Sequence, residues 1–266
     1  KGVHVALASA EMQMEPVLFG FWGGPTGEWI QKECRKHGIK PKGIEVTGWN
    51  RNCYTFKSVN PDYDETEILG AGPFITDAEE MMFYKHYKEL VNNLDIVTMS
   101  GSWPKGASEN ELIHLSGNAK VFLDCTGQQF RHALDAHPHC IHLNASEATE
   151  LLKTNNPMQA AVELLQYCSM AAITAGKDGL YLAVETSDVI HANVEISECK
   201  GAVGSGDCLL AGLAIATNLG YNTEDTARLG VACGAANCLR DDLGMLYKED
   251  VDQLFQKVQI THMTNK

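Results

Sequence analysis

The chain has 266 residues, 44% hydrophobic and 21% charged, the proportions of a globular protein with enough apolar side chains for a sizeable core. Its formal net charge of −13 argues against a nucleic-acid backbone or an anionic membrane surface as main partner. No apolar run approaches the roughly 20 residues of a membrane-spanning helix, and no signal-peptide pattern is visible at the N-terminus.

In chain order, IEVTGWNRNCYTFKSV (44–59) and TEILGAG (66–72) alternate polar and apolar residues, which predicts a small sheet standing off the main domain. EEMMFYKHYKE (79–89) predicts an amphipathic helix whose methionines and aromatics pack into the core. From residue 94 onward the pattern alternates. LDIVTMSGS is a strand entering a turn, ENELIHLSG a short helix, AKVFLDCTG a strand, and QQFRHALDA a helix. CIHLNASEATELL reads as strand, turn and helix, and MAAITAGKDGLYLAV as strand, glycine turn and strand. Two helices follow, VGSGDCLLAGLAIATNLG and DTARLGVACGAANCLRD. Such alternation predicts an α/β protein, a mostly parallel sheet covered by helices.

Nine cysteines, scattered and never spaced C-x-x-C, point to reduced thiols in a cytoplasm rather than to disulfides or a zinc site. Cys208, Cys233 and others read as small packing residues. His132, His137, His139 and His142 are close in sequence, but Pro138 and the change from helix to strand make their rings diverge. They read as surface or helix-end histidines. There is no G-x-x-x-x-G-K-[ST], no G-x-G-x-x-G opening a helix, no H-R-D loop and no G-x-S-x-G elbow. P-loop, Rossmann, protein-kinase and serine-hydrolase chemistries are disfavoured accordingly.

The richest stretch is GAVGSGDCLLAG (201–212). Amides at a helix start lack intrahelical partners and lie at the positive end of the dipole. Gly204, Ser205 and Gly206 can turn those amides towards one anion. Asp207 at its rim is either a dipole-favoured helix-start residue or a base for a hydroxyl attacking a phosphoryl group. Asn144 and Glu147, in LNASE, have the same two sides: an N-cap with its capping-box acid, or an amide and carboxylate suited to a hydrated Mg²⁺. Ser100, Gly101 and Ser102 close a strand where α/β proteins bind ligands, or form an ordinary strand-to-helix turn.

Seven motifs occur in one order: KGVHVALA at the start, GFWGGPTG (20–27), SGSWPKG (100–106), LDCTG (123–127), LNASE (143–147), TAGKDG (174–179) and VGSGD (203–207). Together they resemble the ribokinase-like (PfkB) carbohydrate kinases over nearly the whole chain. Within that family, S-G-S-x-P-x-G, the T-E and G-P of 66–73, and N-R-N around Arg51 are most similar to the tagatose-6-phosphate kinase and 1-phosphofructokinase group. The resemblance implies a three-layer αβα sandwich, a single kinase domain over 1–266, and a β lid from about 40–75.

It also implies roles. Asp207 corresponds to the catalytic base, and Gly204, Ser205 and Gly206 to the anion hole. Asn144 and Glu147 correspond to the motif that organises Mg²⁺, largely through water, and the ATP phosphates. Thr174, Gly176 and Gly179 fall on the nucleotide side, and Asn237 near the adenine pocket. Lys1 and Gly2 match the end of a G-G-K-G-x-N motif. Lys1 and Arg51 are the cations for a substrate phosphate, with Gly2, His4, Ser100, Ser102 and Asp207 around the sugar. His4 stands where the family carries asparagine, and the motif implies a strand ahead of Lys1 with a sugar-binding aspartate. The expected activity is ATP- and Mg²⁺-dependent phosphorylation of a tagatose-6-phosphate- or fructose-1-phosphate-type ketohexose phosphate by a cytoplasmic protein, a homodimer through the lid. A kinase of an unphosphorylated sugar or nucleoside, or a catalytically silent sugar-binding regulator, are the other readings.

Overall fold

The computed structural model describes residues 1–56, 66–107, 112–125, 128–185 and 188–264. It opens with α1 (Gly2–Glu11), β1 (Val17–Trp22), α2 (Gly24–Lys36) and β2 (Lys40–Glu45). β1 and β2 pair in parallel, from Val17 opposite Lys40 to Trp22 opposite Glu45. β3 (Cys53–Phe56) and β4 (Thr66–Leu69) form an antiparallel ribbon with mostly exposed side chains, so a small separate sheet does follow residue 44. Residues 57–59 of that expectation lie outside the described residues.

α3 (Asp77–Val91) starts at a capping box in which the Thr76 hydroxyl accepts from the Glu79 N–H and Glu79 accepts from the Thr76 N–H. Phe83, Tyr87 and Val91, four residues apart, form its buried face. Phe83 stacks on Phe21 of β1 at 4.1 Å and meets Phe19 and Trp103 edge-on. Met81 and Met82 do not join this core: they are 67% and 53% exposed, on the opposite side of the helix. The sequence pattern placed them inside because it registered residue type rather than angular position.

The main sheet comprises β5 (Ile96–Ser100), β6 (Lys120–Asp124), β7 (Cys140–Asn144), β8 (Met170–Thr174), β9 (Leu180–Glu185), β10 (Asp188–Asn193) and β11 (Gln259–Thr264), side by side in that order. β5 to β8 run parallel, and β9 to β11 are added antiparallel. Between the strands lie α4 (Leu112–Leu115), α5 (Gln128–Leu134), α6 (Ala145–Leu152), α7 (Pro157–Leu164), α8 (Ser205–Asn218), α9 (Thr223–Cys238) and α10 (Lys248–Phe255). α7 is absent from the sequence reading, although Asn156 caps it and Pro157 occupies its first turn, both ordinary start signals.

Successive strand residues point to opposite faces, and both are covered. Phe122, Cys140, Ala172, Leu182 and Ile190 pack with α1, α8, α9 and α10. Leu123, Ile141, Ala171, Ala183 and Val189 pack with α5, α6 and α7. The result is the expected αβα sandwich. Ten consecutive residues of α8, Asp207 to Ala216, are buried, which explains its lack of a polar stripe. Burying Leu210 and Leu213 completely contributes about 2–3 kcal/mol each.

β1 and β5 each have one strand partner among the described residues, and between them runs a groove of about 430 Å³ lined by Val5, Leu18, Val97 and Ile215. No helix among the described residues is long and apolar enough to cross a membrane.

Candidate active site

The two-residue period of the strands brings three polar groups to one face. Phe122, Cys140 and Ala172 point into the core beneath α1 and α8, so Asp124 and Thr174, at the C-terminal ends of β6 and β8, and His142, in the middle of β7, each two residues further along, point the same way. Asp124 and His142 are buried. His142 Nε2 lies 3.2 Å from Thr174 Oγ1, and Nδ1, without a hydrogen-bond partner among the described residues, lies 3.4 Å from Asp124 Oδ2.

Above them sits the start of α8. Gly204 occupies φ +90°, and a Cβ there would stand 2.5 Å from Gly244 N. Only glycine makes this turn. A Cβ on Gly206 would meet His142 Cε1 at 3.1 Å, so the helix start rests directly on the strand polar groups. The turn is braced from behind by Asn237 of α9, 1% exposed, whose amide donates to Val203 O (3.1 Å) and Ser205 Oγ (3.2 Å). Ser205 Oγ also lies 3.2 Å from Cys238 Sγ. The Ser205 N–H donates to Ala202 O (3.1 Å), while the other first amides of this helix start lack an intrahelical partner and lie at its positive end.

Asp207 faces α1. Its Oδ2 lies 2.8 Å from His4 Nδ1, while Oδ1 is buried without a hydrogen-bond partner among the described residues. An unpaired carboxylate oxygen out of water is costly unless something else occupies its place.

One turn before His4, Lys1 Nζ lies 2.6 Å from Asp124 Oδ1. Burial opposes the charge of Lys1, yet Asp124, Glu147 and Asp207 together hold its ammonium above the ordinary lysine range. Burial would likewise raise the Asp124 carboxyl, but His142 and Lys1 outweigh it and hold the group well below the usual carboxylate range. Lys1 thus pairs directly with Asp124 and also feels the charges of Glu147 and Asp207.

The remaining sequence-singled residues divide. Gly2 and Gly101 adjoin this cluster: a Cβ on Gly2 would reach Ser100 O at 3.9 Å, and one on Gly101 would reach Lys1 Cβ at 3.6 Å. Ser100 Oγ is buried without a hydrogen-bond partner among the described residues. Ser102 is exposed beyond it. Asn144 and Glu147 form a complete capping box at 2.9 Å in both directions, and Asn144 lies opposite Thr174 across β7 and β8. Gly176 and Gly179 lie on the β8–β9 hairpin, where a Cβ on Gly179 would strike Ala192 O. Arg51 is exposed at the entry to β3.

Sequence reasoning missed the roles of Asp124, His142 and Gly244. His142 is 4% exposed, a correction to the surface reading of the histidine cluster, whereas His137 is exposed. The usable signal was a polar residue within or at the end of an otherwise apolar buried strand, VFLD and CIHLN. Gly244 carried no local sign, since its constraint comes from His4 and Gly204, both distant in sequence.

A profile of the pfkB family carbohydrate kinases matches residues 1–245, and the chain belongs to that family. The fold is shared with solved structures of low identity. Phosphofructokinase-2 from Escherichia coli, in complex with potassium, superposes with a TM-score of 0.87 at 19% identity, covering 96% of this chain and 85% of the other. A Staphylococcus aureus protein provisionally described as a phosphofructokinase gives 0.84 at 23%, covering 99% and 87%. A Thermotoga maritima protein provisionally described as a 1-phosphofructokinase gives 0.84 at 21%, covering 98% and 87%.

Proposed function

We propose that the protein transfers the γ-phosphoryl group of ATP to a hydroxyl of a ketohexose phosphate of the tagatose-6-phosphate or fructose-1-phosphate type. The observation that carries this reading is Asp207 Oδ1, a buried carboxylate oxygen without a hydrogen-bond partner among the described residues, in the first turn of α8. The substrate hydroxyl gives its proton to Asp207 as its oxygen forms the new bond to phosphorus, and the bond from that phosphorus to the ADP oxygen breaks. The amides of Gly204 and Gly206 stabilise the charge spread over the moving group at the positive end of α8, whereas the Ser205 N–H already donates to Ala202 O and shapes the turn.

Asn144 and Glu147 suit a hydrated Mg²⁺ and the nucleotide phosphates, because a carboxylate and an amide at a strand end offer the hard oxygen donors that cation takes. When bound, the cation neutralises phosphate charge. Thr174, Gly176 and Gly179 continue that side of the cleft, and Asn237 acts from behind by fixing the turn. Lys1 and Arg51 are assigned to the substrate phosphate, with Gly2, Ser100 and Ser102 near the sugar. The β3–β4 ribbon, rich in exposed apolar side chains such as Tyr54, Phe56, Ile68 and Leu69, supports a lid and a homodimer contact, with the whole chain acting as one kinase unit. Of the Escherichia coli neighbour, a tetrameric inhibited form and a complex with fructose-6-phosphate are described. The expected extra strand is assigned to the groove between β1 and β5, whose facing edges it would pair. The free state of all nine thiols suits a cytoplasmic setting.

The test is coupled ADP release with Mg·ATP across tagatose 6-phosphate, fructose 1-phosphate, fructose 6-phosphate and the unphosphorylated sugars. Turnover should depend on Asp207 and favour a phosphosugar. A panel without ADP above background sinks the proposal.

A further inference from the structure

We propose that His4 is a positioning residue for Asp207 rather than a sugar contact, and that Gly244 sets the position of His4. The inference rests on the reading of Asp207 as base. An ionised carboxylate only accepts hydrogen bonds, so the nitrogen 2.8 Å from Oδ2 must donate, and His4 carries a proton on Nδ1. That bond occupies Oδ2 and fixes the rotation of the carboxylate. Oδ1, buried and without a hydrogen-bond partner among the described residues, is then the atom that receives the substrate proton.

The imidazole is itself held. A Cβ on Gly244 would overlap His4 Cβ, Cγ and Cδ2, so the backbone of that loop lies flat against the ring. Gly244 has φ +67°, a conformation that already favours glycine, and its N–H lies where a Cβ on Gly204 would go. The same loop residue therefore packs on the ring that aims the base and on the turn that holds the transferred group. His4 lies one helical turn from Lys1 on α1, so one helix face serves both Asp207 and Asp124.

The geometry makes a prediction that separates this role from sugar binding. Asparagine carries an amide nitrogen at the place of Nδ1, whereas glutamine reaches the place of Nε2. If His4 acts through Nδ1, His4→Asn keeps most of kcat, while His4→Gln and His4→Leu lose about 10- to 100-fold with little change in KM. Gly244→Ala, which displaces the ring, should lose kcat in the same way. Each variant is checked by thermal unfolding, and assays use Mg·ATP with the phosphosugar of the panel that turns over fastest. A second readout needs no turnover: nitrogen-detected NMR of the His4 ring should show the Nδ1–H tautomer in the wild type and lose it in Asp207→Ala. The outcomes are distinguishable. If Asp207→Asn keeps activity, the base reading fails. If Asp207→Asn is inactive but His4→Gln outperforms His4→Asn, or His4→Leu matches the wild type, the positioning role is overturned. A wild-type Nε2–H tautomer overturns it as well.

Discussion

Lys1 and Asp124 stand 2.6 Å apart, joining the first turn of α1 to the C-terminal end of β6 across 123 residues of sequence. Asp124 is buried, Lys1 is partly open to solvent, and His142 faces the other carboxylate oxygen. The carboxyl is held low, so its contribution to stability is present above the unfolded-state value of about 4 and is lost as pH falls through the folded-state value. Wild-type stability should decline below about pH 5 for this reason. Asp124→Asn should flatten that decline and cost about 2 kcal/mol at neutral pH, less than the roughly 3–5 of a fully buried pair because Lys1 keeps solvent access. Urea unfolding at pH 4 and pH 7 measures both. Equal acid sensitivity in wild type and variant would refute it.

Gly204 and Gly206 should respond differently to alanine. Gly204→Ala forces a side chain into the left-handed region, about 1–2 kcal/mol, and drives its Cβ against Gly244. Both stability and activity should fall. Gly206 lies inside α8, where alanine gains about 1 kcal/mol in helix propensity, offsetting the close approach to His142. Gly206→Ala should melt near the wild type yet turn over more slowly, since His142 or the helix start must shift. Differential scanning calorimetry beside steady-state kinetics separates the two. A Gly206→Ala enzyme with unchanged kcat would mean that this approach has no part in catalysis.

Most of the order of strands and helices after residue 94 was legible, because local signals agree there: apolar runs of strand length, glycine turns, then helical periods; α7, β10, α10 and β11 were not read. The turn at Gly204–Asp207 was legible as a glycine-opened helix start for the same reason, being local. What escaped the sequence is what depends on contacts between distant segments. His142 reads as one of four histidines until β7 buries it between Asp124 and Thr174. Asn144 and Glu147 kept their two readings, and the capping box at 2.9 Å realises one of them without excluding the other.

Tyr87 offers a test in alkali. Burial pushes its phenol up to about 12, opposed only partly by the hydrogen bond to Ser116 at 2.6 Å. The protonated phenol is the form the fold retains, so its contribution is complete below about pH 10 and is lost as pH rises towards 12. Difference absorbance should show one tyrosine ionising well after the exposed ones, together with unfolding. Tyr87→Phe should cost about 1 kcal/mol at neutral pH and remove that late step. Its persistence in the variant would assign it to another tyrosine.

Thiol chemistry should separate the cysteines by burial. Cys53 and Cys199 are exposed, whereas Cys140, Cys208 and Cys233 are buried. Burial pushes the Cys233 thiol up to about 12 and the Cys208 thiol higher still, despite its place at the start of α8. A thiol-reactive dye at pH 8 should label Cys53 and Cys199 quickly, and Cys208 only at the rate of unfolding. Peptide mapping after a short pulse decides it. Rapid labelling of Cys208 in folded protein would mean that the helix start opens far more readily than its packing implies.

Glu147 has two functions to separate, because its carboxylate already accepts the Asn144 N–H while it is assigned to the cation. Glu147→Gln keeps an oxygen for the cap and removes the charge. It should cost under about 1 kcal/mol in stability yet raise the Mg²⁺ concentration needed for half-maximal rate. Asn144→Ala removes the cap acceptor and should cost about 1 kcal/mol. If the role is the cap alone, activity at saturating substrate will follow stability across both variants and the Mg²⁺ requirement will not move. A Mg²⁺ shift in Glu147→Gln at nearly unchanged melting temperature is the result expected of a residue that serves the cation, because charge removal weakens a hard-cation site far more than it weakens a hydrogen-bonded helix start.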